Sequence, residues 1–507
     1  MATTILIAWV VSLLWMIQRS YFPSKVQEST DWPVPPGAAY FAITLGDAQV
    51  GFSSTNVDTL PEGIGVQQII RIDLPRPSGK GGPVRRLVIR TEALLTRSLR
   101  LRTWHTALLD GDEQATTVGR VEGDTALIVV NQWATGTDTL RTRLSQPILL
   151  PVAVPFAVVQ RRPLRPGQSH HALVLDPIGL ELTQVEIRLA AESLFAIPDS
   201  AVFDSAQRQW VPARSDTVRA WRLETVEHGL PVSRWIDAQG LVVRTTTPFG
   251  LGFQRSAFEL VTLNYRNRRP SLVAGAWPAG IGAELQGPAP GVAPGGSLQI
   301  QLQRQGAIVP LVGAPALDGG GQRVNTDTLS ISRVLPSGSI PLQDSLIGPS
   351  YLGDSPLLQL HEARLQALAQ SLKGNDGPVT AGRIGDWMNR SVALGRSGPA
   401  RPGALATSMR REGDAASRAL LYLSLARADG IPARLASGLV RGSDGFHLDS
   451  WPEVWLGDWV PVDLQAGRLP ADPNRIRLVI GGAGRSHELV PLIGAVTVQI
   501  LSPTPSP

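Results

Sequence analysis

Ser417, His447, Asp414 and Asp463 are the residues of this chain whose types suit acyl-transfer chemistry. That chemistry needs a nucleophile, an imidazole to carry its proton and a carboxylate to orient the imidazole. A thiol nucleophile is excluded, because none of the 507 residues is Cys. Ser417 follows Ala415 by two positions, which on a helix is about 200° round the axis, so the two should face opposite ways. His447 precedes Asp449 by two positions; on a strand they share a face roughly 7 Å apart. Ala415 presents only a methyl group, and Asp449 is a carboxylate that ordinarily stays ionised near neutrality and has no proton to return. The set is therefore incomplete as read: an imidazole without an obvious nucleophile to serve.

The stretches that carry these residues are Glu412-Gly413-Asp414-Ala415-Ala416-Ser417, Asp449-Ser450-Trp451-Pro452-Glu453-Val454-Trp455 and Gly457-Asp458-Trp459-Val460-Pro461-Val462-Asp463. Together they resemble the catalytic core of the transglutaminase-like, papain-type superfamily, whose pattern reads Gly-Asp-Cys, then His-Ala-Trp-x-Glu-Val, then Trp-Val-Pro-Val-Asp. The resemblance places Ala415 at the nucleophile, Asp449 at the histidine and Asp463 at the orienting carboxylate. Only Asp463 matches. The resemblance implies a cysteine-hydrolase fold whose chemistry has been removed, leaving vestigial positions and no catalytic residues. Asp449, Trp451 and Asp463 then line the former substrate cleft, and the two carboxylates make it acidic, suited to an amine, a basic side chain or a cation.

The elements that must hold these residues are legible around them. Ala419 to Ala428 reads as an apolar helix stopped by Gly430 and Pro432. Ile431 to Val440, Trp451 to Trp455 and Trp459 to Val462 read as strands, the last two joined by Leu456-Gly457-Asp458. The Trp and Val residues of these strands read first as core, since aromatic and β-branched residues in short strands usually pack inward. Leu357 to Leu372 and Thr380 to Met388 read as amphipathic helices.

Upstream the sequence is rich in short alternating segments separated by Gly, Asp and Pro, as in Leu99 to Trp104, which is the pattern of antiparallel sheet with one wet face. The fold class expected is α+β: an N-terminal membrane helix, a large antiparallel β region and a C-terminal transglutaminase-like α+β domain. The boundaries are a transmembrane anchor over 1–22, a Pro-rich tether over 23–36, a β-rich domain over 37–150 and a second β-rich segment over 151–265. A Pro/Gly-rich linker or small β module follows over 266–345, then the degenerate transglutaminase-like domain over 346–501 and a disordered tail over 502–507. Within the second segment Ala201 to Trp210 reads as one strand, and Asp237-Ala238-Gln239-Gly240 as a hairpin turn.

The run from Ala2 to Gln18 is uncharged, at the short end of a membrane span. Ile5, Trp9, Leu13, Trp15 and Ile17 are its anchor residues, with Tyr21 and Phe22 as an interfacial belt. No Lys or Arg precedes the run and no small-x-small cleavage site follows it, so it reads as an uncleaved anchor rather than a signal peptide. Arg19 and Lys25 follow it, which taken literally favours a cytoplasmic body; the resemblance to membrane-anchored members of the superfamily favours a periplasmic body held at the inner membrane, and that is the expectation here.

Composition narrows function further. Lys and Arg number 47 against 42 Asp and Glu, and the basic residues are interspersed with acidic ones, so nucleic-acid binding is not expected. The seven His show no metal-ligand spacing, no dinucleotide or phosphate-loop fingerprint occurs, and no cofactor or metal is expected. The function that emerges is a non-enzymatic, membrane-anchored extrinsic scaffold subunit. It would brace or assemble a multisubunit membrane complex, for example a photosynthetic or respiratory one. Its partners would be membrane protein subunits and, through the N-terminal helix, the lipid bilayer. Two alternatives stand beside it: a peptide- or cell-wall-binding pseudoenzyme, and a hydrolase with a site shifted onto Asp414, Ser417 or His447.

Overall fold

In the computed structural model the described residues are 34–504, apart from 46–47, 75–84, 112, 134–135, 162, 228, 248–250, 268–284, 287–296, 305–306, 309–314, 327, 337–350, 396–401, 442–445 and 482–495. Ile5, Trp9, Leu13, Trp15 and Ile17 lie outside them. Among the described residues no helix is long and apolar enough to cross a membrane.

The strands of both upstream segments join a single antiparallel-dominated sheet of fifteen strands. The first half is a meander: β1 (Gly37–Leu45), β2 (Ala48–Leu60), β3 (Gly63–Leu74), β4 (Arg85–Leu95), β5 (Leu101–Asp110), β6 (Glu113–Glu122), β7 (Ala126–Trp133) and β8 (Gly136–Arg143). The chain returns through β9 (Ile148–Leu149), β10 (Ser169–Leu175), β11 (Leu182–Asp204), β12 (Gln209–Glu227), β13 (Leu230–Asp237), β14 (Val242–Thr246) and β15 (Leu251–Ser256), and β15 pairs with β1. The two outer strands of the sheet, β8 and β9, are therefore consecutive in the chain. The sheet is bent so that residues of β2–β8 share one core with Ile148, Leu150, Leu175 and Phe156 of the short helix α1 (Val154–Val159).

One inward row of this sheet is polar. Thr55, Gln68, Thr91, Thr106, Thr117, Asn131 and Asp138 stand directly opposite one another across β2 to β8. Thr91 and Thr106 share a hydrogen bond of 3.2 Å, and the Thr117 hydroxyl donates to Asn131 Oδ1 at 3.2 Å. Satisfied cross-strand pairs of this kind pin register, because a one-residue slip would bury unpaired hydroxyls. The row next to it is apolar and holds Trp104, whose indole lies against Gly119. A Cβ there would stand 1.9 Å from the ring, so only glycine admits it.

The C-terminal part has four principal helices, α2 (Ala363–Leu372), α3 (Gly377–Ser391), α4 (Ala404–Arg410) and α5 (Ala415–Ala428). They cover one face of a four-stranded sheet, in order β25 (Trp459–Pro461), β24 (Phe446–Trp455), β23 (Ala433–Arg441), β26 (Arg475–Ile480). Helix α2 starts later than the amphipathic pattern suggests, at Ala363, because Asp354 accepts from the backbone of Ser355 and Leu360 and holds the preceding residues in turns. The other face of the sheet carries a small β module of β16 (Leu285–Gln286), β17 (Ser297–Arg304), β18 (Ala307–Ile308), β19 (Gln322–Asn325), β20 (Thr328–Ser332) and β27 (Val496–Thr504). Of the tail expected to be disordered over 502–507, Ser502, Pro503 and Thr504 belong to β27 and stand in register with Gln299, Leu298 and Ser297, while 505–507 lie outside the described residues. A second correction concerns Ala201 to Trp210, where a turn at 205–208 separates β11 from β12. Asp204 Oδ1 accepts from the backbone of Ala206 and Gln207 there and closes the turn. The Asp237 turn does form the β13–β14 hairpin, with Asp237 Oδ1 accepting from the backbone of Gln239 and Leu241.

The large sheet and the helices are one packed body. Val57, Leu95, Trp104, Leu127 and Leu140 belong to the same core as Leu357, Leu365, Ile384 and Leu421. The polar row ends at this junction, where Asp138 Oδ2 accepts from the backbone N–H of Gly403, the residue that starts α4. Arg410, at the other end of α4, lies 4.9 Å over the Trp133 ring.

Candidate functional site

Helix α5 is the centre of the site. It begins because Asp414 has extended backbone (φ −65°, ψ 173°) and accepts from the backbone N–H of Ser417 at 2.8 Å, satisfying one orphan donor of the first turn. It ends at Gly430 (φ +79°), ahead of Pro432. Every residue from Ala416 to Ala426 is buried, so the helix runs through the core rather than along its surface. Ala415 is the first helical residue. Ser417 is buried beneath it, at 1% exposure. His447 is exposed on β24.

Around the start of α5 the fold gathers five charged groups. Asp463, which follows β25, accepts from the backbone of Gln465 and Ala466 at 3.0 and 2.9 Å, and Arg475 Nη2 stands 2.9 Å from its Oδ2. Burial pushes the Asp463 carboxyl up, but Arg475 and these N–H donors together outweigh it and hold the group below the usual carboxylate range. Arg418, one helical turn after Ala415, is 3% exposed; its Nη2 donates to Leu464 O at 2.8 Å and its Nε is buried without an acceptor. Burial lowers the Arg418 pKa, and Asp463 and Asp449 act against that shift.

Asp449 is raised, first by burial and further by Asp414. The Ser450 N–H bond at 2.8 Å, His447 and Arg475 partly oppose the shift. The expectation of an acidic cleft is corrected here. Three carboxyls, Asp414, Asp449 and Asp463, face two guanidiniums, Arg418 and Arg475, and Asp463 is already neutralised by its partner. Trp451, two positions after Asp449 on β24, is 4% exposed and packs with Ala436 and Val440.

Two strand positions beyond Trp451 stands a second charged cluster, which the motif pattern alone does not mark. Glu453 is 2% exposed and is held by Arg434 Nε at 2.8 Å and by Arg477 Nη1 at 2.8 and 3.1 Å. Arg477 spends its remaining donors on the backbone of the β module: Nε to Ala316 O at 2.6 Å, and Nη2 to Asp318 O and Gly319 O at 2.9 and 2.7 Å. Arg434 lies 4.0 Å over the Trp459 ring. Burial alone would raise Glu453, but the two guanidiniums hold it below the usual range. A signal for these residues does exist in the chain: Arg418, Arg434 and Arg477 each interrupt an otherwise apolar segment, and a charged group in a core element needs a buried partner.

A separate, small cleft lies between α1 and strands β10–β13, with Val154, Val185, Leu223, Asp176, Glu227 and Arg234 among its walls. It does not include the charged residues at α5. Among the described residues no group of His, Asp and Glu is arranged to hold a metal ion.

The helix-and-sheet unit defines the class: residues 366–464 match the transglutaminase-like superfamily, and the chain carries a transglutaminase-like domain there. No curated protein is similar to the chain. Among solved structures it is similar to a candidate cysteine protease from Cytophaga hutchinsonii (17% identity, 40% of this chain and 80% of that one, TM-score 0.26). It is also similar to a β-barrel-like protein of the DUF1849 family from Brucella abortus (10% identity, 43% and 94%, TM-score 0.29). A third is a DUF1089-family protein from Pseudomonas aeruginosa (13% identity, 39% and 90%, TM-score 0.22).

Proposed function

We propose that this chain is a non-enzymatic scaffold subunit, anchored by residues 1–22 in the inner membrane with its body on the periplasmic side, where it braces a multisubunit membrane complex. The observation that carries this reading is Ala415. The first residue of the central helix, where a papain-type enzyme places its thiol, offers a methyl group, and the chain has no Cys to replace it. Asp449 in the histidine position has no proton-shuttling imidazole, and Ser417 is buried under the helix start. The surrounding core is nonetheless fully elaborated, which suits a fold kept for its shape and surface. The sheet and the helices share one core, which supports reading the body as one unit suited to bracing.

The test is extraction of the native membrane in mild detergent, followed by size separation and mass spectrometry of what comigrates. Membrane subunits at fixed ratio to this chain are expected; a lone monomer would sink the proposal.

A second reading, a pseudoenzyme that binds a peptide or cell-wall fragment without cutting it, is favoured by one specific feature. The Nε atoms of Arg418 and Arg475 are buried at the old site without acceptors, which leaves donors for a bound carbonyl. Stabilisation of the purified chain by such a fragment, lost in Arg418→Met, is the outcome that selects it.

A further inference from the structure

The segment from Gly353 to Glu362 ties three helices together. Arg427 of α5 donates from Nη1 to Gly353 O at 2.6 Å, and Ser424 of the same helix donates to Leu358 O. The backbone N–H of Ala404, the first residue of α4, donates to Leu357 O at 2.8 Å, and that of Leu405 donates to Gln359 Oε1 at 3.1 Å. Helix α2 starts directly after Glu362. Leu357, Leu358 and Leu360 belong to the core shared with the large sheet. Gln359 is 4% exposed and has a left-handed backbone (φ +57°), which a residue with a side chain keeps only where its surroundings enforce it.

One carboxyl shapes this segment. Asp354 Oδ1 accepts from the backbone of Ser355 at 2.8 Å and from that of Leu360 at 3.0 Å. Its other oxygen, Oδ2, is buried and accepts no hydrogen bond among the described residues. His361 Nε2 stands 4.0 Å from Oδ2, outside hydrogen-bond reach but at the limit of an ion pair. The imidazole is 78% exposed and has room to close that gap, whereas Asp354 is fixed.

The other charges at this corner are committed elsewhere. Arg427 acts on Asp354 from α5, but its Nε, Nη1 and Nη2 donate to the backbone carbonyls of Ala433 and Gly353. Glu181, between β10 and β11, and Tyr351 act on Arg427 in turn. Glu362 and Arg364, close to His361 along the chain, are exposed. Burial pushes the Asp354 carboxyl up; the N–H groups of Leu360 and Ser355, then His361 and Arg427, oppose the shift without cancelling it.

We propose that Asp354 and His361 form a latch that closes in mildly acidic medium and fixes the junction of α2, α4 and α5. An imidazole gains its proton between about pH 8 and pH 5, and as imidazolium it can supply the charge-assisted hydrogen bond that Oδ2 lacks. Because Asp354 is raised in the folded state, its favourable contribution is present below the unfolded Asp range and is lost as pH rises through the folded value. The imidazolium offsets that loss only while it keeps its proton. The segment is therefore tightest where Asp354 is ionised and His361 protonated, and it loosens as pH rises through the imidazole range. The loosening reaches α4, because Ala404 and Leu405 hang on this segment beside Gly403, which Asp138 of β8 holds. The latch lies within the body and does not depend on the membrane anchor.

Amide hydrogen exchange of the full-length chain in detergent micelles, read by mass spectrometry and corrected for the intrinsic effect of pH, tests the latch. In the parent chain, protection of peptides covering 354–362 and 403–411 is expected to fall about two- to fivefold between about pH 5.5 and about pH 7.5, the scale of a partly exposed ion pair. His361→Ala, at an exposed position that tolerates truncation, is expected to show the lower protection at both pH values. Asp354→Asn keeps an acceptor for Ser355 and Leu360 and is expected to lose the pH response as well. A His361→Ala profile identical to that of the parent chain overturns the latch, as does protection that rises with pH. A response confined to 354–362 overturns its transmission to α4.

Discussion

The two charged clusters of the transglutaminase-like domain share one strand, where Asp449 and Glu453 stand, and differ in how these carboxyls are held. Around Glu453 both carboxylate oxygens are bonded, and all the donors of Arg477 find acceptors, three of them backbone carbonyls of the neighbouring β module. Around Asp449 the charges are gathered but not closed: Arg418 and Arg475 keep a buried Nε without an acceptor, and Asp449 is raised toward its neutral form. A charged network that holds two layers together must be satisfied, because each unpaired buried charge costs several kcal/mol. Neither cluster is fully closed, because Arg434 Nη2 is also buried without a hydrogen-bond acceptor although it stands 2.8 Å from Glu453 Oε2; the difference lies in the carboxyls, Glu453 being held below its usual range by two guanidiniums and Asp449 being raised by burial.

Four substitutions probe this contrast, in decreasing order of expected loss. Glu453→Ala leaves two buried guanidiniums unpaired and should cost about 3–5 kcal/mol, read as a fall in the urea midpoint. An unchanged midpoint would make the network ornamental. The same change should remove an acid limb from the stability profile. Glu453 is depressed in the folded state, so its contribution is present above the unfolded Glu range and is lost as pH falls through its folded pKa. Asp463→Ala removes one ion pair and the oxygen that accepts from two backbone N–H groups, at a less enclosed position, and should cost about 1–3 kcal/mol. A loss equal to that of Glu453→Ala would show that the old site is as structural as the network.

Asp414→Ala removes the cap of α5 and the like charge beside Asp449, and should cost about 1 kcal/mol. Thermal unfolding with the helix signal as readout checks it, and a loss several times larger would point to a role beyond capping. Asp449→Asn should be close to neutral or slightly stabilising at neutral pH, the opposite sign to the other three. Its folded pKa is raised, so its favourable contribution is present below the unfolded Asp range and is lost as pH rises through the folded value. The Asn variant should flatten stability across that window in pH-resolved denaturation. A marked loss at neutral pH instead would mean that the ionised carboxylate is needed.

The candidate site is partly legible in the amino-acid sequence. The Gly430-Pro432 stop is a local signal and marks the end of α5, whereas its apolar run, read from Ala419, misses the first turn, which starts at Ala415 because Asp414 caps it. The strand pair around Gly457 is equally local. The charge balance is not legible there. Asp463 and Arg475 are twelve residues apart, and Asp449 and Arg418 thirty-one, so nothing in spacing says that the fold will bring guanidiniums to the carboxylates. An acidic cleft follows from reading carboxylates without their partners. The turn at 205–208 is hidden for a different reason: β-branched and aromatic residues on both sides of Ser205-Ala206-Gln207-Arg208 run on as one β-rich stretch, and only the Asp204 bonds break it.

The features that depend on near neighbours are written in the chain itself: β-rich text before α5, the helix and its stop, the missing thiol, and the uncharged run at the start. Features that depend on pairing across distance came from the tertiary structure alone. The two β segments form one sheet because β15 closes onto β1 across some two hundred residues. The polar row from Thr55 to Asp138 exists only once seven strands are in register. The C-terminal strand pairs with β17, far upstream, since alternating side chains can be satisfied by any edge that offers the right register, and the choice of edge is made by the whole fold.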